Sequence, residues 1–311
     1  MKIIDLMAGI GKTRIIPGSA ALVSLAVVVL ALSGCSTAPR RQQEVFVIRN
    51  TAANQLNLAN RVFAQGQFDD ALIILEDAWR LAVSADDPPL RINIAISRAN
   101  VFFSLGRYAE AFSEWENAAG EGEISQLPLL AARARIYAAR AELTLLSGDF
   151  PAGAAEADAR AQELRGQLVR EVALVRSEPL ALAAGYLALG MAEKHLRRWA
   201  EAESAAMQSL RIYERARALE DAAYAWFIIA SIRSLSGNYD AALQALRAAI
   251  DFDRRAENGF GLASSWHAMG DVYRNAGRAE QSRAAHRRAA DIYRAIGLNS
   301  RAEELEHLTG D

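Results

Sequence analysis

The feature that most constrains this chain is a turn that recurs six times at a nearly constant spacing. The first copy reads Gly-Gln-Phe-Asp-Asp-Ala from Gly66, and the second reads Gly-Arg-Tyr-Ala-Glu-Ala from Gly106. The copies begin at residues 66, 106, 148, 197, 237 and 277, so the steps are 40, 42, 49, 40 and 40 residues. Each copy lies between two stretches of helical pattern. A period between about 20 and 50 residues indicates an array of repeated units.

Two positions in every unit carry small side chains. Seven residues before the turn stand Ala59, Ala99, Ala141, Gly190, Ala230 and Gly270. Five residues after it stand Ala71, Ala111, Gly153, Ala202, Ala242 and Ser282. Two helices pack closely only where the side chains at their crossing are small, because extra volume there causes strain. The sequence therefore predicts that the two helices of each unit cross at these positions.

A bulky side chain marks a third position, eleven residues before four of the turns, at Tyr137, Tyr186, Trp226 and Trp266. The clearest copy reads Trp-His-Ala-Met-Gly-Asp-Val-Tyr over residues 266–273. With these motifs the chain resembles the tetratricopeptide repeat family over residues 48–296, since that family has W-x2-L-G-x2-Y followed by A-x3-F. The resemblance implies an all-α, right-handed superhelical solenoid of about six helix–turn–helix repeats. The period of about 40 residues, against 34 in the family, implies longer helices.

Helical periodicity and helix-breaking residues predict six helix pairs and a tail. The predicted spans are 47–65 and 68–84, 89–105 and 108–120, 127–147 and 150–175, 179–196 and 199–218, 220–236 and 239–256, and 260–276 and 279–296. The repeats thus occupy residues 47–298, and residues 299–311 form a C-terminal capping tail. We expect one elongated solenoid, because each repeat buries its apolar face only against its neighbours.

The first 34 residues have the composition of a secretory signal. Their start is mildly basic, an apolar run covers residues 19–31, and Leu-Ser-Gly-Cys follows at residues 32–35. The apolar run is too short to span a bilayer, and small residues precede the cysteine. The segment resembles a bacterial lipoprotein signal, which implies that Cys35 becomes the mature N-terminus and carries covalent lipid such as palmitate. Cys35 is the only cysteine, so a disulfide framework is excluded.

Residues 35–46 are predicted to be the lipidated cysteine and a polar tether. A tether of this length reaches at most about 40 Å, so the repeats would stay close to the membrane surface. Stable anchoring requires more than one acyl chain, as lipoprotein cysteines carry. Ser36 follows the cysteine, where aspartate would mark inner-membrane retention. By resemblance, this favours the outer membrane and its periplasmic face.

The charge distribution argues against nucleic acid as a partner. Without the leader the chain has 32 basic and 36 acidic residues, and nucleic acid requires a basic stripe. Residues 66–123 carry a net charge of −7, and residues 274–294 carry +4. These segments are either two solvated faces or the docking surface of a partner with the opposite polarity.

The sequence gives little support for catalysis or for a metal site. The four histidines, at 195, 267, 286 and 307, show no two-histidine spacing that one helix would use for a metal. No nucleophile is accompanied by a base and an orienting group. We therefore expect a protein that is not an enzyme and has no cofactor apart from the covalent lipid on Cys35.

The family resemblance implies that the first helix of each pair lines a groove in which peptides or partner helices bind. Carried over by position, the candidate groove residues are Leu56, Asn60, Phe63, Ile96, Asn100, Phe103, Arg135, Glu142, Leu145, Tyr224, Phe227, Ser231, His267, Asp271 and Arg274. Asn60 and Asn100 are either solvated or hold an extended peptide backbone. Leu56 replaces the lysine of the family's carboxylate clamp, and the apolar members indicate a partner segment that buries side chains.

Taken together, these features predict a membrane-anchored periplasmic scaffold or assembly factor that binds protein or peptide partners in the cell envelope. Two alternatives stay open. The first is an accessory lipoprotein of a transporter, in which the solenoid encloses a small apolar ligand. The second is a cytosolic peptide-sensing regulator, which requires that residues 1–34 are not a leader.

Overall fold

The computed structural model describes residues 46–149 and 155–309. Within this part of the chain the structure is helical and contains no strand. The helices are α1 (Val47–Ala64), α2 (Phe68–Ser84), α3 (Pro88–Ser104), α4 (Tyr108–Ile124), α5 (Pro128–Asp149), α6 (Ala155–Leu174), α7 (Pro179–His195), α8 (Trp199–Ala216), α9 (Leu219–Leu235), α10 (Tyr239–Ala256), α11 (Gly259–Asn275), α12 (Ala279–Ala295) and α13 (Asn299–Thr309). A short 3-10 turn at Val175–Ser177 follows α6. The predicted leader, Cys35 and almost all of the tether lie outside the described residues.

Consecutive helices pack as six pairs, from α1 with α2 to α11 with α12, and α13 packs against α12. The predicted all-helical architecture of paired repeats is confirmed. The buried apolar residues lie between neighbouring pairs, and the largest core cluster extends from α5 to α12. Each pair thus buries its apolar surface against the next pair, as expected for a solenoid. Among the described helices, none is both long enough and apolar enough to cross a membrane.

The small residues predicted at the helix crossings are buried at every described position. A Cβ atom added at Gly190 would lie 3.0 Å from the backbone oxygen of Ala202, which follows the same turn by five residues. In the sixth repeat the Ser282 hydroxyl donates a hydrogen bond to the backbone oxygen of Gly270, at 2.8 Å. In these two repeats the small residue before the turn therefore faces the small residue after it, which confirms the prediction for both repeats. Gly153 lies outside the described residues.

The turn glycines end the first helix of a pair in the left-handed region. Gly66 has φ +83° and Gly237 has φ +84°, a conformation that glycine adopts without steric cost. The fourth turn has Arg197 in this place, with φ 59°. The backbone shape of the turn is thus retained even where its glycine is replaced.

Helix α4 continues four residues beyond its predicted end at residue 120. Gly120 and Gly122 weaken a helix, which is why the pattern indicated an end there. A Cβ atom at Gly122 would lie 2.8 Å from the backbone nitrogen of Ala131 on α5. The missing side chain at Gly122 therefore lets α4 and α5 approach closely.

The first repeats contact the last one. The Phe68 ring at the start of α2 meets the Phe260 ring of α11 edge-on, with centroids 5.4 Å apart. Arg301 of α13 donates a hydrogen bond to the backbone oxygen of Ser104 at 3.1 Å. A Cβ atom at Gly66 would lie 2.9 Å from Cδ1 of Ile296. This contact is not part of the elongated array that we expected from the sequence.

Candidate partner-binding surface

The predicted groove residues of the first two repeats contribute mainly to local cores. Leu56 and Phe63 pack against the buried cluster of the first repeat. Ile96 is buried, and the Phe103 ring lies 6.0 Å from the Trp115 ring. The two amides differ from these residues, since Asn60 is exposed and Asn100 is half-buried. Among the predicted groove residues of these two repeats, only the amides leave polar groups accessible to a partner.

In the third repeat the predicted groove residues bind neighbouring helices. Arg135 donates to Glu171 of α6 at 2.8 Å and to Glu123 of α4 at 2.7 Å. Glu142 accepts a hydrogen bond from Arg160 of α6 at 2.9 Å. These ion pairs engage the charges of Arg135 and Glu142 within the protein.

A shift in register explains this placement. Helix α5 runs through Gly148, the predicted third turn, to Asp149 and begins 20 residues before Gly148, whereas α3, α7, α9 and α11 each begin 18 residues before their turns. Counting back from the turn therefore misplaces residues of α5 by two positions, or about 200° around the helix. Counted from the helix start, Arg133 is equivalent to Tyr224, and Arg140 is equivalent to Ser231. Arg133 and Arg140 are thus the third-repeat residues that share a face with the groove residues of α9.

The side chains of α5 and α9 meet on this face. The Arg140 guanidinium lies 4.5 Å from the ring centroid of Tyr137 and 5.3 Å from that of Tyr224. The Tyr224 ring is nearly parallel to the Phe227 ring, with centroids 6.1 Å apart. Cation–π contacts of this kind are stronger where water is excluded. The structure thus brings together Tyr224 and Phe227, two predicted groove residues, and adds Arg140 to them.

Helix α7 comes between α5 and α9 in the chain, and its Lys194 extends the same face. It is 9% exposed, and its Nζ donates to the Ser231 hydroxyl of α9 at 3.3 Å. Burial lowers the pKa of Lys194 to about 8. We define the cationic–aromatic surface as the following side chains of α5, α7 and α9: Arg133, Tyr137, Arg140, Lys194, Tyr224 and Phe227.

The cations of this surface form no close ion pair among the described residues, although the charges of Glu178 and Asp221 act on Arg133 and Arg140 over a longer distance. The Arg133 Nε is buried without a hydrogen-bond partner. Burial lowers the pKa of Arg133. Asp221 is a nearby carboxyl whose pKa is raised by burial, and the Arg140 charge only partly offsets this. Because buried cations are costly unless they are paired, the surface is suited to an anionic group from outside.

The predicted groove residues of the sixth repeat are brought together with one further side chain. Arg274 donates to Asp271 at 2.7 Å, and His267 lies on the other side of that carboxylate. His286 of α12 completes the group, with its Nε2 3.2 Å from Asp271. His267 and His286 lie on different helices and 19 residues apart, so the spacing of histidines within one helix does not predict that they meet.

A separate cleft of about 490 Å³ is lined by side chains of α2, α3 and α4, together with Arg107 before α4. Its arginines are already paired, since Arg98 contacts Glu114 at 2.7 Å and Arg107 pairs with Glu110. With its charges balanced internally, this cleft offers less for an ionic partner than the cationic–aromatic surface.

Comparison with known proteins identifies the repeats. Residues 221–295 and residues 51–85 each match a model described as tetratricopeptide repeat. The fold is similar to the crystal structure of a Rap protein complexed with competence and sporulation factor, with a TM-score of 0.55 and 14% identity, covering 86% of this chain and 75% of that one. A second similar structure is BtubC from P. vanneervenii, with a TM-score of 0.47 and 17% identity, covering 79% of this chain and 92% of that one. A third is a structure of TPR-like repeats of Podosopora anserina, with a TM-score of 0.44 and 15% identity, covering 65% of this chain and 94% of that one. Comparison with curated proteins gives no match. The chain therefore contains tetratricopeptide repeats in a solenoid of paired helices.

Proposed function

We propose that this protein is a lipid-anchored scaffold that holds a segment of an envelope protein on its cationic–aromatic surface. The observation that carries the proposal is the set of three cations on α5 and α7 without close ion-pair partners among the described residues, with Arg140 over the Tyr224 ring of α9 and Lys194 bonded to Ser231 of α9. Charge-assisted hydrogen bonds to carboxylates and contacts with aromatic faces are both strong where water is excluded. The surface therefore fits a segment in which acidic and apolar side chains alternate.

The repeat class supports a protein or peptide as the partner. The Rap protein of similar fold was crystallised with competence and sporulation factor, so an array of this architecture can hold a bound factor. At 14% identity the likeness extends to the fold, and it does not specify the partner of the present chain. The chemistry of the surface instead suggests the partner, as an acidic segment with apolar side chains.

The proposed anchor is the lipid on Cys35. The predicted lipoprotein-type signal ends just before this cysteine, and the first described helix begins twelve residues after it. This short tether would keep the surface near the periplasmic face of the outer membrane. The covalent lipid is the one attached group in this proposal, which assigns no catalytic role to the chain.

Removal of the anchor tests the proposed location. We expect the wild-type protein to sediment with membranes and to incorporate a labelled palmitate analogue, and the Cys35→Ala variant to lose both properties. Ser36→Ala serves as the control, since it changes the neighbouring residue and leaves the thiol in place. A wild-type protein that is soluble and cytosolic would contradict the anchor and favour a peptide-sensing regulator.

A second measurement separates the scaffold from a ligand carrier. Native mass spectrometry of the purified protein is expected to show the mass of the lipidated chain without a retained small molecule. A reproducible extra mass that is lost on denaturation would contradict the scaffold and favour an accessory protein of a transporter.

A further inference from the structure

Three side chains of the sixth repeat have a donor arrangement suited to a metal ion. His267 and Asp271 are one turn apart on α11, and His286 extends from α12 towards both. The His286 Nε2 lies 3.2 Å from Asp271 Oδ1, and the His267 Nε2 lies 3.6 Å from Asp271 Oδ2. All three ligand atoms lie within 4.8 Å of one another. Two atoms bound to one ion at about 2.0–2.2 Å lie at most about 4.4 Å apart, so the 3.2 and 3.6 Å contacts to Asp271 fit ligands of one ion.

The other repeats show that these histidines are specific to the sixth. At the position of His267, the first helices of the other pairs carry only apolar residues: Leu56, Ile96, Ile136, Leu187 and Phe227. At the position of His286, four of the other second helices also carry apolar residues: Leu75, Trp115, Ala206 and Leu246. Packing alone is thus satisfied by apolar side chains at both positions. The two histidines and Asp271 therefore form a polar group that the packing of the other repeats does not require.

Gly270 holds the His286 ring in place. A Cβ atom at Gly270 would lie 2.1 Å from Cδ2 of His286, so the ring occupies the space that any other residue would fill. The ring is 2% exposed and is packed edge-on against the His267 ring, with centroids 5.6 Å apart. His286 is therefore fixed in one orientation, with its Nε2 directed at the Asp271 carboxylate.

The donor set also suits a transition metal. Two imidazole nitrogens and one carboxylate oxygen favour borderline transition metals over calcium or magnesium.

We propose that His267, Asp271 and His286 form a binding site for a divalent transition metal ion, with Zn²⁺ as the best match. The exposed fractions of His267 and Asp271, 39% and 36%, leave the outer side of the site open to water. A fourth ligand can therefore come from solvent. Arg274 opposes binding, because its guanidinium donates to Asp271 Oδ1 at 2.7 Å and adds a positive charge.

The test uses the full-length, untagged protein in detergent after treatment with chelator. Zn²⁺ binding is measured by calorimetry, and Co²⁺ is used as a visible probe of nitrogen and oxygen ligands. We expect one saturable site per chain in the wild type and in Cys35→Ala, the latter excluding the thiol as a ligand. His267→Gln is expected to weaken Zn²⁺ binding at least tenfold, since loss of outer-shell contacts alone costs about 10–100-fold. Because His267 is partly exposed, this variant should keep its fold, which circular dichroism verifies.

Two further variants distinguish a metal site from a plain hydrogen-bonded group. Arg274→Gln is expected to strengthen Zn²⁺ binding, because it removes the competing guanidinium. His195→Gln is expected to leave binding unchanged, since the His195 Nε2 lies 3.8 Å from Asp158 and belongs to no such group among the described residues. Absence of saturable binding in the wild type, or equal binding by folded His267→Gln, would overturn the proposal. This test is independent of the anchor and of the protein partner.

Discussion

Replacing Arg140 by Gln and Lys194 by Met together is expected to lower the affinity for an acidic partner segment by about 100-fold or more. Hydrogen bonds to charged groups contribute about 1.5–3 kcal/mol each, so the loss of two of them corresponds to this factor or more. The measurement is fluorescence anisotropy with labelled peptides that carry Glu or Asp next to Phe or Trp. Versions of the same peptides with Gln or Asn should bind the wild-type protein weakly.

The matched control for this prediction is Arg135→Gln with Glu142→Gln. These residues were predicted to line the groove, and the structure places them in ion pairs with α4 and α6. The control should leave peptide affinity unchanged and lower stability modestly. If it abolished binding while the Arg140 and Lys194 variant bound normally, the register derived from the helix starts would be contradicted. Equal binding of the acidic and the amide peptides would contradict the ionic basis of recognition.

The second large effect is expected from Asp253, an almost fully buried carboxyl in α10. Asn258 donates to its Oδ1 at 2.8 Å, and the Ser265 hydroxyl donates to its Oδ2 at 3.2 Å. Burial raises the pKa of Asp253 to about 7, although these two hydrogen bonds act against the shift. The folded protein therefore favours the protonated carboxyl over a pH range in which the unfolded chain is ionised.

The sign of the pH dependence follows from this raised pKa. The stabilisation by protonated Asp253 is fully present below about pH 4 and is lost as the pH rises through 7. At about 1.4 kcal/mol per pKa unit, we expect this one group to lower the free energy of unfolding by up to about 4 kcal/mol between pH 4 and pH 8. Asp253→Asn remains uncharged and can still accept from Asn258, so its stability should not fall in this way.

Urea unfolding of both proteins at a series of pH values measures the difference. Asp251→Asn is the control, because Asp251 is exposed on the same helix and should change the profile little. We expect Asp253→Asn to be more stable than the wild type at pH 8 and to lose this advantage towards pH 4. If the stability of the two proteins changed with pH in the same way, the pKa of Asp253 would not be raised in the folded protein, and the prediction would be wrong.

The paired helices could be predicted because their determinants are local and repeated. The small residues near each turn appear in every unit, and residues such as Ala59 and Ala202 proved to be completely buried. The spans of the helices followed from the same turns. The end of α4 could not be predicted, because Gly122 weakens a helix in isolation. The reason for a glycine at this position is the close approach of Ala131, which only the folded structure shows.

The candidate site was harder to predict, since its determinants are not local. The register of α5 depends on its extra length, and this moved the groove position from Arg135 to Arg133. The contact between Phe68 and Phe260 depends on how small rotations accumulate over the whole array. A signal was nevertheless present in the sequence. Lys194 is the only lysine after the leader.

The most direct test of the account is photo-crosslinking in intact cells, with a crosslinking amino acid in place of Tyr224. The same amino acid in place of Tyr108, which is exposed at the start of α4, serves as the control position. We expect a discrete adduct with an envelope protein when the crosslinker is at position 224 and no adduct when it is at position 108. The adduct from position 224 should be lost when Arg140→Gln and Lys194→Met are added. Equal crosslinking from both positions, or an adduct that survives these two substitutions, would contradict it.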